Sequence, residues 1–201
     1  SNFYCKTYCA GNTTEKKIAI TFDDGPSSFT PTILETLRTH HAISTFFVIG
    51  KNIKGNEKIL KQTLAEGHTL GNHTYSHSFF IDFKNAKQFK EELNKTDEAV
   101  FQATGTHLNL FRPPYGVTTP HLVKAAKALN YKIIGWNIRS LDTTKDNEEV
   151  IYKRVTNQIK PGAIILFHDT SEKTNAVLKR TLEFAAANQF KIVPLNTLLN
   201  L

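Results

Sequence analysis

Methionine is absent from this chain, tryptophan occurs once and cysteine twice. The two cysteines cannot build a disulfide scaffold, and a chain of 201 residues does not need one, because at this length roughly 70% of the unfolded surface is buried on folding. No apolar run reaches the ~18 residues of a membrane-spanning helix. With only 10 glycines and 7 prolines, no heptads and 21% charged residues, collagen, coiled coil and disorder are excluded. The chain also lacks any tract of five basic residues. Its 25 Lys and Arg are scattered, so the net charge of +7 reads as a solvated basic surface that favours anionic partners without nominating nucleic acid. Cys5 and Cys9 could close a small disulfide loop in an oxidising compartment or remain spare thiols. No further cysteine is present to complete a thiolate metal site. The start, Ser1-Asn2, with no Met and no apolar core after it, reads as a mature or trimmed chain whose targeting segment is not visible.

What is present is an alternation of short apolar runs and amphipathic stretches. Lys17–Phe22, Ser44–Ile49, Tyr131–Trp136, Ala163–Phe167 and Lys191–Val193 read as strands. Between them, apolar residues recur at helical spacing: Ile33, Leu34 and Leu37; Ile59, Leu60 and Leu64, stopping at Gly67; Ala86 to about Ala103; and Leu122 to Leu129 after Pro120. Val150 to Ile159 and Ala176 to Ala187 follow the same rule. Gly71-Asn72 reads as a turn. Strands alternating with helices imply a mostly parallel sheet with crossover helices, and about seven βα units favour a closed or partly closed barrel over an open doubly wound sheet. The expected organisation is an N-terminal extension over 1–14 and one α/β domain over 15–201. No Gly-x-Gly-x-x-Gly follows the first strand, which argues against a dinucleotide.

In such folds the site lies at the carboxyl ends of the strands, and ionisable groups gather there in the sequence. Asp23 and Asp24 follow the first long strand; adjacent carboxylates leave the backbone in different directions, so one can hold a metal while the other faces a substrate. The same residues also make a good solvated turn. His73 and His77, four apart, suit two imidazole ligands, although lone histidines at this spacing also occur as surface or capping groups. Two His and one Asp make a facial set with open positions, suited to hydrolysis at zinc and equally to oxygen chemistry at iron(II). Arg112 follows Leu110-Phe111 in a stiff Arg-Pro-Pro-Tyr turn; it could pack, or it could orient a carboxylate while the Tyr115 region supplies an oxyanion donor. His168 closes an apolar strand and reads as a core histidine or a general acid.

Together these segments resemble the polysaccharide deacetylase family, the NodB-homology carbohydrate esterases. Thr21-Phe22-Asp23-Asp24-Gly25-Pro26, Asn72-His73-Thr74-Tyr75-Ser76-His77, Arg112-Pro113-Pro114-Tyr115 and Ile165-Leu166-Phe167-His168-Asp169 match four of its motifs in order. The resemblance implies an α/β fold of the distorted or incomplete (β/α) barrel kind and metal-dependent removal of acetyl groups from N-acetylated sugars. It also implies a division of roles. Asp24, His73 and His77 hold one divalent metal ion, zinc by preference. Asp23 takes a proton from the attacking water and Arg112 holds Asp23. The metal and the Tyr115 N–H stabilise the oxyanion, His168 protonates the leaving amine, and Leu166 lines the acetyl pocket. Asp142 orients His168. The implied partner is an N-acetylated glycan, with no nucleic acid. The expected setting is extracytoplasmic and the expected state a monomer. A non-catalytic carbohydrate-binding protein is the alternative on the same fold. One motif departs: where the family often shows Asp-x-x-Asp-Trp, this chain has Arg139 in place of the first Asp and Thr143 in place of the Trp. Arg139 is expected either to pair with Asp142 or another carboxylate, or to favour anionic substrates. Thr143 offers no ring for stacking. Activity is therefore expected to be poor on neutral chitin chains and better on short or anionic acetylated glycans.

Overall fold

The computed structural model describes residues 6–201; Cys5, and with it the pairing considered for Cys9, lies outside them. Nine parallel strands form one curled sheet: β1 (Thr7–Tyr8), β2 (Lys17–Asp23), β3 (Thr45–Val48), β4 (Thr69–Asn72), β5 (Leu110–Phe111), β6 (Lys132–Ile134), β7 (Ile138–Arg139), β8 (Ile164–His168) and β9 (Lys191–Ile192). The order is β1-β6-β5-β4-β3-β2-β8-β7, with β9 joined to the start of β2. Among the described residues the edge strands β1 and β7 do not pair with each other, so the barrel is incomplete. Seven strands lead into helices: α1 (Thr30–Thr39), α2 (Glu57–Ala65), α3 (Ala86–Thr104), α4 (Pro120–Ala128), α5 (Glu148–Thr156), α6 (Glu172–Ala187) and α7 (Leu195–Leu199). No helix among the described residues is long and apolar enough to cross a membrane.

The period-two geometry of strands explains both the core and the site. Along β2, Ile18, Ile20 and Phe22 face the helices, while Ala19, Thr21 and Asp23 face the barrel interior. Along β8, Ile165 and Phe167 point outward and Ile164 inward, which sends Leu166 and His168 inward as well. The outer layer buries Phe22, Phe46, Phe111 and Phe167 against Leu34, Leu37, Phe89, Leu93 and Leu178 of the helices. The inner layer is thinner, built on Ala19, Phe47, Leu110, Ile134 and Ile164, and is closed by Leu195 and Leu198 of α7. Gly71 faces inward beside Phe47 in the β3–β4 register, and a Cβ there would sit 2.5 Å from the Phe47 ring; a bare backbone is what lets that ring fill the interior.

Several boundaries differ from the sequence expectation, each for a local reason. Gly71 and Asn72 belong to β4 rather than to a turn, because pairing with Phe47 and Val48 of β3 overrides their local turn propensity. Helix α5 begins at Glu148, two residues before its apolar pattern, since the Asn147 side chain caps the Val150 N–H. It ends at Thr156 rather than Ile159. Likewise α6 starts at Glu172 rather than Ala176. The run expected over Tyr131–Trp136 pairs only over Lys132–Ile134, and the two-residue β7 follows it without an intervening helix. Residues 7–8, within the expected extension, add β1 beside β6.

Candidate functional site

The inward-facing residues at the carboxyl ends of the strands converge. Asp23 ends β2 in the extended conformation, whereas Asp24 turns into the left-handed region (φ 78°). That reversal separates the two carboxylates: Asp23 meets Arg112, and Asp24 meets the histidines. Thr74, His77 and Tyr115 are likewise left-handed, at φ 67°, 46° and 57°. Strain of this kind in non-glycine residues persists where the surrounding contacts enforce it, often at functional sites. Here the contacts are visible. The Glu92 carboxylate of α3 accepts the Tyr75 and Ser76 N–H groups at 3.0 and 2.8 Å. Asp169, fully buried and with its carboxyl pushed up to about 7 by that burial, accepts the Thr30 hydroxyl at 2.6 Å. It packs so closely on the loop after β2 that any Cβ at Gly25 would overlap its carboxylate.

Asp24, His73 and His77 offer three ligand atoms within 4.8 Å of one another. His73 Nε2 and His77 Nε2 lie 3.4 and 3.3 Å from Asp24 Oδ1, and that oxygen is buried without a hydrogen-bond partner. The His73 Nδ1–H donates to the Arg112 carbonyl at 2.7 Å, which fixes the tautomer and turns the Nε2 lone pair toward Asp24. An orphaned carboxylate oxygen faced by two imidazole nitrogens fits a divalent cation of the borderline class that takes mixed N and O ligands. Burial works against the Asp24 carboxylate, but contact with His73 and the charges of His73, His168 and His77 outweigh it and hold its pKa at about 2. Burial, and then His73, lowers the pKa of His77, which keeps its nitrogen available as a ligand.

Arg112 is wholly buried. One guanidinium nitrogen donates to Asp23 Oδ1 at 2.7 Å and to the Thr21 hydroxyl at 2.8 Å, and the other to the Gly135 carbonyl at 2.9 Å. The Phe47 ring lies 4.2 Å beneath it. With Oδ1 thus engaged, Asp23 Oδ2 is the oxygen left facing the cluster, 3.7 Å from His73 Nε2. On the neighbouring strand, in register with Asp23, stands His168. Its Nδ1–H donates to Asp142 Oδ1 at 2.7 Å, and Asp142 Oδ2 accepts the His168 N–H at 2.8 Å. Ser140 and Thr174 hydroxyls complete the Asp142 shell at 2.9 and 2.5 Å. Burial disfavours the charged imidazole, but the Asp142 hydrogen bond and charge, with Asp23 and Asp24 behind them, raise its pKa above the ordinary 6.5. Burial also opposes the Asp142 carboxylate, and its bonds to His168 and Thr174 win, lowering its pKa. The stability from the raised His168 is therefore complete below about 6.5 and is lost as pH rises through its folded value. That from Asp142 is complete above its ordinary value and is lost as pH falls through the depressed one.

Residues 10–134 match the family profile described as polysaccharide deacetylase. The chain belongs to the polysaccharide deacetylase family. Two relatives frame the likeness. Peptidoglycan-N-acetylglucosamine deacetylase PgdA of Listeria monocytogenes is 35% identical over 186 residues, 92% of this chain and 39% of that protein. Peptidoglycan-N-acetylmuramic acid deacetylase PdaA of Bacillus subtilis is 37% identical over 166 residues, 80% of this chain and 63% of that protein. This chain thus spans less than two thirds of either. Among solved structures, the Bc1960 peptidoglycan N-acetylglucosamine deacetylase superposes with a TM-score of 0.90 at 29% identity, covering 96% of this chain and 92% of that one. A family pseudoenzyme from Bacillus anthracis gives 0.88 at 26% identity, covering 94% and 67%.

Within this polysaccharide deacetylase domain, Asp23, Asp24, His73, His77, Arg112, Asp142 and His168 come together at one end of the barrel. Leu166 is buried beside them, paired in register with Thr21 and Arg139. Tyr115 stands half-exposed, its ring centroid 4.9 Å from that of His77. Thr21, Glu92, Ser140 and Thr174 escaped the sequence reading. Glu92 had a signal, since it sits with Phe89, Leu93 and Thr96 on the buried stripe of α3, where a carboxylate needs a reason. Thr174 had none, because its partner lies 32 residues away. Arg139 does not pair with Asp142, whose oxygens are taken. It is exposed, lies over the Trp136 ring at 5.9 Å, and has no acidic partner among the described residues. Thr143 is exposed.

Proposed function

We propose that this domain hydrolyses the acetamide of N-acetylated sugars in a cell-wall glycan, releasing acetate, with Asp24, His73 and His77 holding one divalent metal ion, zinc by preference. The observation that carries the reading is the placement of two separately held groups around one ligand set: Asp23 gripped by Arg112, and His168 gripped by Asp142. When bound, the metal supplies Lewis-acid polarisation of the acyl oxygen and makes water a better nucleophile. The chain's own groups supply the rest. Asp23 Oδ2 takes the proton of the attacking water as its oxygen bonds to the acyl carbon. The Tyr115 N–H is assigned to the oxyanion, and Leu166 to the methyl group. His168 Nε2 gives its proton to the sugar nitrogen as the C–N bond breaks, so that an amine and acetate leave. The names of the relatives support a peptidoglycan substrate and action outside the cytoplasm. A pseudoenzyme among the structural neighbours raises the second reading, glycan binding without turnover; the complete acid, base and ligand set favours catalysis.

The deciding experiment measures acetate release from a panel of acetylated glycans after divalent metals are returned to stripped protein. Release on no glycan with any metal would leave the binding reading. The panel should pair neutral with carboxylate-bearing substrates, in wild type and in Arg139→Ala. With no acidic partner among the described residues, Arg139 is expected to give a kcat/KM preference of roughly 5- to 10-fold for the anionic member, lost in the variant. An unchanged ratio would remove Arg139 from specificity.

A pH profile tests the acid. His168 must carry its proton to act, so activity should fall as pH rises through its raised pKa. In Asp142→Asn the negative charge is lost while burial stays, and the amide oxygen can still accept the Nδ1–H, so the alkaline limb of kcat should move to lower pH by roughly one unit. An alkaline limb that stays put would mean another group sets it.

A further inference from the structure

Phe79, Phe80 and Phe83 are 75%, 67% and 87% exposed, in a domain that buries most of its large apolar side chains. They do not lie on a loose strap. Ile81 between them is 1% exposed in the main core. Lys84, directly after Phe83, pairs with Glu92 at 3.1 Å, and Glu92 also clamps the Tyr75–Ser76 backbone. Helix α3 then starts at once with a reciprocal Asn85–Gln88 cap. The segment is held at both ends and in the middle, with the three rings turned to water. Contiguous exposed aromatic surface on an ordered scaffold marks an interaction site.

The rings are also continuous with the candidate site. The Tyr115 ring lies 4.9 Å from His77 and 6.1 Å from Phe79. Phe79 lies 5.6 Å from Phe80, and Phe80 lies 6.4 Å from Phe83. Each ring is tilted against its neighbour, by 47–87° along this path beyond Tyr115, so each presents its own facet. Starting at a metal ligand, the path moves outward in steps about the width of a pyranose ring. A pyranose has an apolar C–H face and a hydroxyl rim, so it can cover an aromatic facet while its hydroxyls stay in water. Position 143 carries a threonine and offers no ring, whereas this ridge leads outward from His77.

We propose that Tyr115, Phe79, Phe80 and Phe83 form a stacking ridge for the sugar units flanking the one that reacts, making the enzyme select glycan chains over single sugars. This rests on the deacetylase reading above. The occupant is a glycan rather than a membrane surface because the ridge begins beside His77 and runs on from the candidate site ring by ring.

The test uses Phe79→Ala/Phe80→Ala/Phe83→Ala and, separately, Phe80→Trp, which keeps a facet. All three side chains are exposed, so folding should persist, as a melting curve will report. Acetylated oligosaccharides of one to six units serve as substrates, and calorimetry with the same ladder gives affinity apart from turnover. Wild type should gain in KM and affinity with chain length. The triple variant should lose that gain, roughly 5- to 10-fold for the longest member, with kcat and single-sugar activity within about twofold, while Phe80→Trp retains it. A wild type that acts on the ladder with the same length dependence as the triple variant overturns the ridge alone. Co-sedimentation with anionic phospholipid vesicles that only the triple variant loses, at unchanged length dependence, overturns it in favour of a membrane surface. A wild type that neither binds nor hydrolyses any member overturns both this proposal and the deacetylase reading.

Discussion

Asp23→Asn is expected to leave the bound metal in place while turnover falls by roughly 10²–10⁴, the usual contribution of a positioned base. The two aspartates are adjacent, but the left-handed backbone at Asp24 (φ 78°) sends them to different partners. Asp24 Oδ1 lies 3.3–3.4 Å from both imidazoles, whereas Asp23 Oδ1 is held at 2.7 Å by Arg112. An amide at position 23 can still accept from the guanidinium, so the local geometry should survive. It cannot take a proton from water. It also leaves a fully buried cation without its counter-charge, with the Thr21 hydroxyl, the Gly135 carbonyl, the amide oxygen and the Phe47 and Trp136 faces as its neutral partners. A stability loss of roughly 1–3 kcal/mol should accompany the loss of rate. Removing the other partner, Arg112→Met, should be worse for the base. Asp23 would be buried without its counter-charge and without the donor that aims it, and would stop serving as a base. Metal content and single-turnover rates separate the outcomes. If Asp23→Asn loses its metal and keeps the rate per metal-loaded molecule, the roles of the two aspartates are exchanged.

The fold was legible where one periodicity ran long enough to be unambiguous. The β2 and β8 runs and the stripes of α1, α3 and α6 carry either a continuous apolar core or a clean 3.6-residue repeat, and each of these elements is present. Two-residue pairings were not legible. Ile138–Arg139 becomes a strand only because Leu166 and Ile165 lie beside it, a fact no local window contains. Gly71 and Asn72 carry turn chemistry yet extend β4, since Phe47 needs a neighbour without a side chain. The site was legible for a geometric reason. Inward-facing positions alternate with outward ones, so a polar residue one step past an apolar strand, as with His168 after Phe167 or Arg112 after Phe111, lands at the barrel mouth. The groups that hold those residues were hidden. Thr21 is inside a strand where threonine is ordinary, and Thr174 and Ser140 reach Asp142 from separate segments. Nor could the sequence say that Arg139 would not pair with Asp142, because that depends on how Ser140, Thr174 and His168 divide the Asp142 oxygens among them.

His73→Ala and His77→Ala should each strip the metal and abolish activity, but at unequal structural cost. A site of three ligands reduced to two should lose more affinity than the roughly 10–100-fold that outer-shell changes remove. Both variants should therefore be metal-free after dialysis, and both should be inactive at metal concentrations that saturate the wild type. The difference lies in what each ring does besides offering Nε2. His73 is 2% exposed, and its Nδ1–H satisfies the Arg112 carbonyl at 2.7 Å. Its removal opens a void beneath Asp23 and leaves that carbonyl unpaired, a cost of roughly 1–3 kcal/mol. His77 is half-buried at the mouth, against Tyr115, and Glu92 holds its loop through Tyr75 and Ser76 whether or not the imidazole is present. His77→Ala should cost less, about 1 kcal/mol, because the ring sits at the partly solvated mouth. Melting metal-free wild type beside the two metal-free variants isolates this difference from the stabilisation that ligand binding itself provides. Stoichiometric metal retained in either variant would remove that histidine from the ligand set. Equal melting losses in the two would mean that the Arg112 carbonyl does not need His73, and that the tautomer assigned to its ring is wrong.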